Sequence, residues 1–573
     1  MAPFPILDEL GRPYDFPFLG GLLVPRIQLV DIDSDGTLDL FLQERSGELM
    51  FFENMGTPGE PDFRWRTDRF QGLDIGEWFR FVDLDADGRV DLLAEERYSH
   101  VRVFRNAGSP TDPRFDLIPD TLRDVSGEPI FADRQNIPSI TDIDCDGQWD
   151  LFLGRIDGTL ARYEEVDREG RWGLPRFQRV TERFEGIEIV GQFGSLHGAN
   201  AMAWADITGS GGDDLIWGDF FEPSLLLLEN TGSCPSFSIR SAPRLIATEG
   251  DPISTSGFNA PAFEDLNGDG RPDLFVGVLG GAFNPIRTAS NNLHHYQQTE
   301  AGTFRLITQR FLAGLDVGSE STVTVADVTG NGLPDLVVGN KIDPVVGQTG
   351  RLYLFRNSGS PGAPSFQLSD TLSLEEVYHY APAFGDLWGD GRAHLALGSW
   401  NRGVLFYRNT GEAGTLTLEA DTTLNFRLTR GSHAIPTLGD VTGNGLLDLV
   451  VGRSSGELSY YRNVGSATAP SFELETDAFF DIDVGRRSAP TLVNLDGDGL
   501  LDLVVGREGG GAMVFRNRGT ATEPDFPSEA DEEWSFLPRN STPFMVDILG
   551  TGRLQLLSGS LGGGVVFWQE WRQ

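Results

Sequence analysis

The chain has 573 residues, a formal net charge of −40 and a pI near 4.4. Arginine supplies 44 of its 45 basic residues, and Lys341 is the only lysine. So acidic a chain lacks the basic footprint that a phosphate backbone needs, which excludes a nucleic-acid partner. No stretch reaches the ~18–20 apolar residues of a membrane span. No basic region followed by an apolar core opens the chain, so no secretion signal is visible.

The N-terminal residues Ala2-Pro3-Phe4-Pro5-Ile6 are a short apolar piece. After them, one pattern recurs ten times: D-x-[DNT]-x-[DNS]-G-x-x-D-L, intact or worn. Its copies start at Asp31, Asp83, Asp142, Asp206, Asp265, Asp327, Asp386, Asp440, Asn494 and Asp547, in steps of 52 to 64 residues. A period this regular marks a repeat architecture. Each unit has a short apolar run into the acidic loop, then an apolar run closing on glycine, as in Leu503-Val504-Val505-Gly506. An aromatic run ending in Arg-Asn follows, as in Tyr461-Arg462-Asn463, and then a turn and Pro-x-Phe, as in Pro470-Ser471-Phe472. These short runs, bounded by Gly, Pro, Asn and Asp, read as four strands per unit. The fold class is all-β, and four strands per repeat match a propeller blade. The last unit stops after Val566-Phe567-Trp568, and the N-terminal piece resembles its missing segment. That predicts a single β-propeller of about ten four-stranded blades over 1–573, with the N-terminal strand closing the last blade. Two smaller propellers are the alternative.

The acidic loops have the spacing of an oxygen cage for calcium. Side chains at positions 1, 3 and 5 converge as the backbone curls, glycine at 6 permits the turn, and the carboxylate at 9 completes the shell. Position 12 is apolar (Leu42), where an EF-hand would carry Glu. Loops 31–39, 83–91 and 142–150 have four aspartates each: Asp31, Asp33, Asp35, Asp39; Asp83, Asp85, Asp87, Asp91; Asp142, Asp144, Asp146, Asp150. With loops 265–273 (Asp265, Asn267, Asp269, Asp273) and 494–502 (Asn494, Asp496, Asp498, Asp502), they are expected to bind best. Loops 206–214 (Asp206, Thr208, Ser210, Asp214), 327–335 (Asp327, Thr329, Asn331, Asp335) and 440–448 (Asp440, Thr442, Asn444, Asp448) substitute neutral oxygens and are expected to bind more weakly. Loops 386–394 and 547–555 are degenerate, with Trp388 and His394, and Leu549 and Gln555, at positions 3 and 9, and are expected to be empty. A saturated oxygen cage leaves no open position, so the expected role of several Ca2+ ions is structural.

The acidic loop, the Leu-x-x-Gly strand and the Tyr-Arg-Asn-x-Gly…Pro-x-Phe tail resemble FG-GAP (VCBS-type) repeats, the blades of integrin α-chain propellers and of many bacterial surface proteins. The resemblance covers essentially the whole chain. It implies calcium loops on one face of the disc and ligand contacts on the other. On that opposite face the candidates are Tyr98, Asn136, Asn259, His379, Trp400, His433 and Arg487, with His197, Phe220 and Phe221 nearby. Aromatics beside amides and an arginine suit a sugar or peptide. The expected function is a calcium-stabilised extracellular, cell-surface or periplasmic binding or adhesion protein with a glycan or protein partner. One alternative is a polysaccharide-acting lyase or hydrolase using spare acids such as Glu44, Glu96, Asp219, Asp343 and Glu508. Another is a structural subunit of a surface assembly. Cys145 and Cys234 are read as unpaired, and no local Ser/His/Asp or Cys/His set appears.

Overall fold

The computed structural model describes all residues except 1–2, 45–46, 133–135, 156, 189–199, 220–221, 240–241, 281–289 and 572–573. Of Arg171, Asn200 and Asp219 it describes the backbone alone. His197, Phe220 and Phe221 lie outside the described residues.

The strands form ten antiparallel meanders, one for each acidic loop, numbered here as blades one to ten in chain order. Blade eight is typical: Ile435–Gly439, Asp448–Gly452, Leu458–Asn463 and Phe472–Thr476. Every residue of its second strand is buried, whereas the outermost strand is largely exposed. A strand covered on both faces needs a continuous apolar run rather than alternation, which is why Leu449-Val450-Val451 reads as it does. Among the described residues the only helical pieces are four three-residue 3-10 turns. The all-β propeller class therefore holds.

The single ring does not. The chain forms two compact units of five blades: Leu23–Phe311, and Ala2–Leu22 together with Leu312–Gln573. In the first unit, the first strand of blade one (Arg26–Val30) packs on that of blade five (Asn259–Glu264). In the second, the first strand of blade six (Thr322–Ala326) packs on that of blade ten (Thr542–Val546). Each unit thus closes on itself, as the two-propeller alternative requires.

Glycine at or next to the end of the second strand makes the junction throughout the second ring and in blades four and five. A Cβ on Gly339, Gly398, Gly452, Gly506 or Gly559 would lie 1.9–2.2 Å from the carbonyl oxygen of Tyr380, Ala434, Ser488, Ser541 or Ser321 in the next blade. The last of these pairs joins blade ten to blade six. In the first unit Gly218 meets Asn259 O and Gly277 meets Pro25 O, at 1.6 and 1.7 Å, the latter joining blade five to blade one. No side chain fits at these positions, so the Leu-x-x-Gly pattern is a blade-to-blade packing rule.

The N-terminal segment also departs from expectation. Ile6–Leu7 pairs in parallel with Phe366–Leu372, the outer strand of blade six, not with blade ten. Blade ten keeps three strands. The reason is a shared turn: Asp8 N bonds Arg12 O and Gly11 N bonds Asp8 O, as Asp124 N bonds Glu128 O and Gly127 N bonds Asp124 O before blade three. There Arg123–Asp124 likewise adds a parallel outer strand. Residues 3–22 are therefore the lead-in of the second ring, and in sequence the first ring is inserted between that lead-in and Leu312. Phe4 and Phe18 both pack on Phe567 of blade ten, and Phe4 also on Phe366 of blade six.

The cysteines are also corrected: Cys145 and Cys234 form a disulfide, Cα atoms 5.5 Å apart and 89 residues apart in sequence. Elsewhere position 4 of an acidic loop lies against the hairpin turn of the next blade: a Cβ on Gly389 would be 3.0 Å from Ala467 O, and one on Gly443 2.5 Å from Ala521 O. Cys145 is position 4 of loop three and Cys234 lies in the turn of blade four, so the bridge makes covalent a contact that other blades make by packing.

Two substitutions test the junction. Gly452→Ala should lower unfolding stability by about 3 kcal/mol, because strand and neighbouring carbonyl must both shift. Gly127→Ala, at φ +86° with open space around it, should cost only about 1 kcal/mol. Denaturant titration of both variants measures the gap, and equal losses would refute the steric reading.

Candidate functional site

Each acidic loop is built by its first side chain. In nine of the ten loops, from Asp31 to Asp547, the position-1 carboxylate accepts the N–H of position 5 on one oxygen and that of position 6 on the other. Asn494 has one oxygen and takes only Gly497 N. Position 6 is glycine throughout, at φ +76° to +91°. Position 9 does separate work. Asp39, Asp91, Asp214, Asp335, Asp448 and Asp502 accept the N–H of Asn54, Asn106, Asn230, Asn357, Asn463 and Asn517. The side-chain oxygen of each asparagine then spans the hairpin, as Asn463 does to Gly465 N and Ser471 N. This chain of bonds accounts for the Arg-Asn-x-Gly signature.

The loops differ in what balances positions 3 and 9. Among the described residues, three carboxylates converge within 4.8 Å in loops one, two and three: Asp31/Asp33/Asp35, Asp83/Asp85/Asp87 and Asp142/Asp144/Asp146. One oxygen of Asp33 and one of Asp85 are buried without a hydrogen-bond partner. Burial, then the charges of Asp33 and Asp35, push Asp39 up to about 7 against the pull of Asn54 N–H. Burial likewise pushes Asp91 and Asp150 up to about 6. Crowded carboxylates with orphaned oxygens fit a hard cation, which would supply the missing counter-charge. In loop three Arg162 already bridges Asp144 and Asp150, at 2.8 and 2.6 Å. In loop nine Arg516 approaches Asp502 at 3.2 Å and Asp496 at 3.8 Å. In loops four and six Thr208 and Thr329 donate to Asp214 and Asp335, both at 2.9 Å. In loop five Asn267 turns its amide onto Asp273. Loop seven satisfies itself: His394 Nδ1 accepts Asn409 N–H, which leaves Nε2–H to donate to Asp390 at 3.0 Å. Gln555 fills the same place in loop ten, accepting Leu549 N–H and donating to Arg553 O.

The opposite end of the strands in the second ring carries another cluster. Glu320, His379, His433, Arg487 and Asn540 stand two residues before the first strands of blades six to ten, all at φ +47° to +63°. Left-handed backbone costs a non-glycine residue about 1–2 kcal/mol. A clasp holds it there. Each of the five N–H groups donates to the previous blade, to Leu561 O, Lys341 O, Trp400 O, Ser454 O and Glu508 O, at 2.7–3.2 Å. Each accepting residue returns a bond, as Trp400 N does to Tyr378 O at 2.9 Å. Glu320 of blade six and Arg487 of blade nine, which are not neighbours, pair at 2.8 Å, so these side chains meet across the ring. Lys341 Nζ lies 2.5 Å from the other Glu320 oxygen. His379 Nε2 and His433 Nε2 are 2.9 Å apart, and Trp400 carries Lys341 and Arg487 on its ring at 5.5 and 5.3 Å. Burial, then Lys341 and Arg487, hold His379 down to about 4, with Glu320 opposing. Burial, His379 and the same two cations hold His433 well below the usual range. Burial raises the Glu320 carboxyl, but His379, Lys341 and Arg487 more than offset it, and it stays ionised.

So four sequence candidates, His379, Trp400, His433 and Arg487, come together. Glu320, their common partner, was missed. Its signal was a constant offset: Glu320, His379, His433, Arg487 and Asn540 each precede position 1 of their loop by seven residues. The candidates in the first ring do not join them. Tyr98 is exposed beneath Arg97, Asn136 is buried, and Asn259 is buried with its side chain bonded to Thr255, Glu222 O and Ser224 O. Among the spare acids, Glu44 caps Leu23 N and Val24 N. Asp343 takes Val345 N, Val346 N and Tyr353 OH. Glu96 takes Tyr98 N and Glu508 pairs with Arg486.

A family model described as FG-GAP-like repeat matches residues 31–94 and 265–338. Those two stretches are FG-GAP-like repeats. Integrin alpha-4 of Xenopus laevis is similar to the protein, 27% identical over 191 residues, 30% of this chain and 18% of the relative. The chain thus spans less than a fifth of that relative's length. A crystal structure of BBS1N in complex with ARL6DN, soaked with mercury, aligns over 68% of this chain and 95% of its own at 12% identity with a TM-score of 0.23, too loose to bear on the fold. The two stretches matched by the FG-GAP model hold loops one, two, five and six and the strands that frame them.

Calcium should raise the melting temperature of the chelator-treated protein. Asp33→Asn combined with Asp85→Asn should shrink that rise, and Asp390→Asn in loop seven should leave it unchanged. Differential scanning calorimetry with and without calcium decides; a rise that Asp390→Asn abolishes would contradict the assignment.

Proposed function

We propose that this protein is a calcium-stabilised adhesion-type binding protein, secreted or displayed at a cell surface, whose partner is a glycan or another protein. The observation that carries the reading is the set of converging carboxylates in loops one to three, set in FG-GAP repeats. Similarity to an integrin α chain supports it. So does the disulfide, since such bonds persist in oxidising compartments. No helix among the described residues is long and apolar enough to cross a membrane. Several calcium ions act here as rivets between a loop and its hairpin, not as reagents.

The partner's place in this reading is the mouth of the second ring. The exposed layer there holds Tyr378, Arg402, Arg486 and Arg539 around the half-buried Trp400. In a chain of net charge −40 this is a locally basic, aromatic patch, suited to stacking on a sugar or peptide and to pairing with its carboxylates. The test is binding to an array of neutral and uronate-containing oligosaccharides in calcium. Binding should favour the acidic members and fall at least tenfold in Tyr378→Ala/Arg486→Ala, a pair of exposed positions that leaves the clasp intact. Binding that is indifferent to this variant would place the ligand elsewhere.

A further inference from the structure

We propose that Glu320, His379 and His433 form a transition-metal site, of the zinc class, in the second ring, distinct from the acidic loops. The three offer one carboxylate oxygen and two imidazole nitrogens, all within 4.8 Å of one another. Their residues are 6%, 2% and 3% exposed. A space so enclosed admits an ion and not a sugar or peptide.

The geometry is close to what such an ion requires. Two imidazole nitrogens on a tetrahedral ion at ~2.0–2.1 Å stand about 3.3 Å apart. Here the two Nε2 atoms are 2.9 Å apart, so they part by about 0.4 Å to accept it. Without an ion that contact needs a proton on one Nε2, shared toward the other. A bound cation takes both Nε2 lone pairs, and this proton moves to the Nδ1 of its own ring. Neither Nδ1 has a hydrogen-bond partner, so nothing fixes the opposite tautomer. Glu320 supplies the anionic third ligand, and water the fourth. Two nitrogens and a single carboxylate suit zinc, cobalt or copper; calcium wants six to eight oxygens. The backbone is prepared as well. All three residues sit in the left-handed region, held by the interblade clasp, so their side chains converge before any ion arrives.

Lys341 and Arg487 set the affinity. In the metal-free ring they occupy the two Glu320 oxygens at 2.5 and 2.8 Å. Lys341, with its side chain 29% exposed, competes with the ion for the carboxylate and swings outward when the ion binds. Removing it therefore favours the metal, which a purely structural ion pair would not predict.

Cobalt(II) is the probe. The full chain, stripped with chelator and then held in millimolar calcium to fill the acidic loops, is titrated with Co(II) and followed by visible absorption. One equivalent should give the intense bands of a four-coordinate, nitrogen-bound centre, and Zn(II) should abolish them. His379→Asn and His433→Asn, with a residue that tolerates left-handed backbone, should each remove the bands. Lys341→Met should tighten Co(II) binding at least threefold. Weak, six-coordinate oxygen-type spectra, or bands that persist in His379→Asn/His433→Asn, would overturn the proposal. Should the histidine variants not fold, the Lys341→Met comparison remains, and unchanged or weaker Co(II) binding there would equally overturn it.

Discussion

The fold depends on one close approach, a backbone carbonyl of one blade seated where the Cβ of its neighbour's glycine would be. At Gly452 that carbonyl is Ser488 O, and at Gly559 it is Ser321 O. The contact fixes the distance between adjacent blades, buries both faces of the second strand and leaves no freedom to widen the ring. The clasp at the mouth lies two residues further along the same strand and inherits its register, as Trp400 follows Gly398. Where glycine is absent the junction is made differently: Gln43, at the equivalent place in blade one, donates to Gly76 O at the start of blade two.

Because that contact recurs at all five junctions of the second ring, it explains what could and could not be read beforehand. The ten loops, the strand order within each blade and the glycine-terminated strands were all visible, since each is a local pattern repeated in register. Where the circle closes was not visible. Blade five meeting blade one uses Gly277 and a carbonyl, and blade five could have met blade six by the same means. The N-terminal segment misled for a related reason. Phe4 and Ile6 resemble an outer-strand segment, but Asp8-x-x-Gly11-x-Pro13 is a lead-in turn, and the turn decides which edge the segment reaches. The disulfide was hidden by distance, because 89 residues separate partners that meet only after two blades have packed.

The acidic loop separates into two physical roles that its motif presents as one. Position 1 and the glycine at 6 make the turn, and they do so in loop seven, where His394 stands at position 9, as well as in loop one. Position 9 ties the loop to the hairpin asparagine, and an imidazole nitrogen does this as well as a carboxylate. Position 5 accepts the N–H of position 7, as Asp35 does from Thr37, whereas position 3 leaves one buried oxygen of Asp33 and of Asp85 without a hydrogen-bond partner, ready to answer to an ion. Decay of the ligand set therefore need not cost the blade its shape. Threonine at position 3 donates to Asp214 or Asp335, arginine bridges Asp144 and Asp150, and each relieves the repulsion that a cation would otherwise have to neutralise.

The mouth of the second ring reverses that economy. Its five left-handed residues would relax if they were glycine, yet none is glycine, and the clasp spends interblade hydrogen bonds to hold them. Strain of this kind persists only where the surroundings over-determine it. Asn540 tolerates the conformation because of its short amide, but Glu320, His379, His433 and Arg487 have no such ease. What they gain is convergence: side chains from non-adjacent blades reach one another in a space that no strand interior could provide. Ten acidic loops scattered around two rings hold blades in shape, whereas this single buried meeting of an acid, two imidazoles and two cations has no counterpart at the other junctions described. A sequence that keeps five costly backbone positions to assemble it has concentrated chemistry there, on the side of the ring away from its acidic loops.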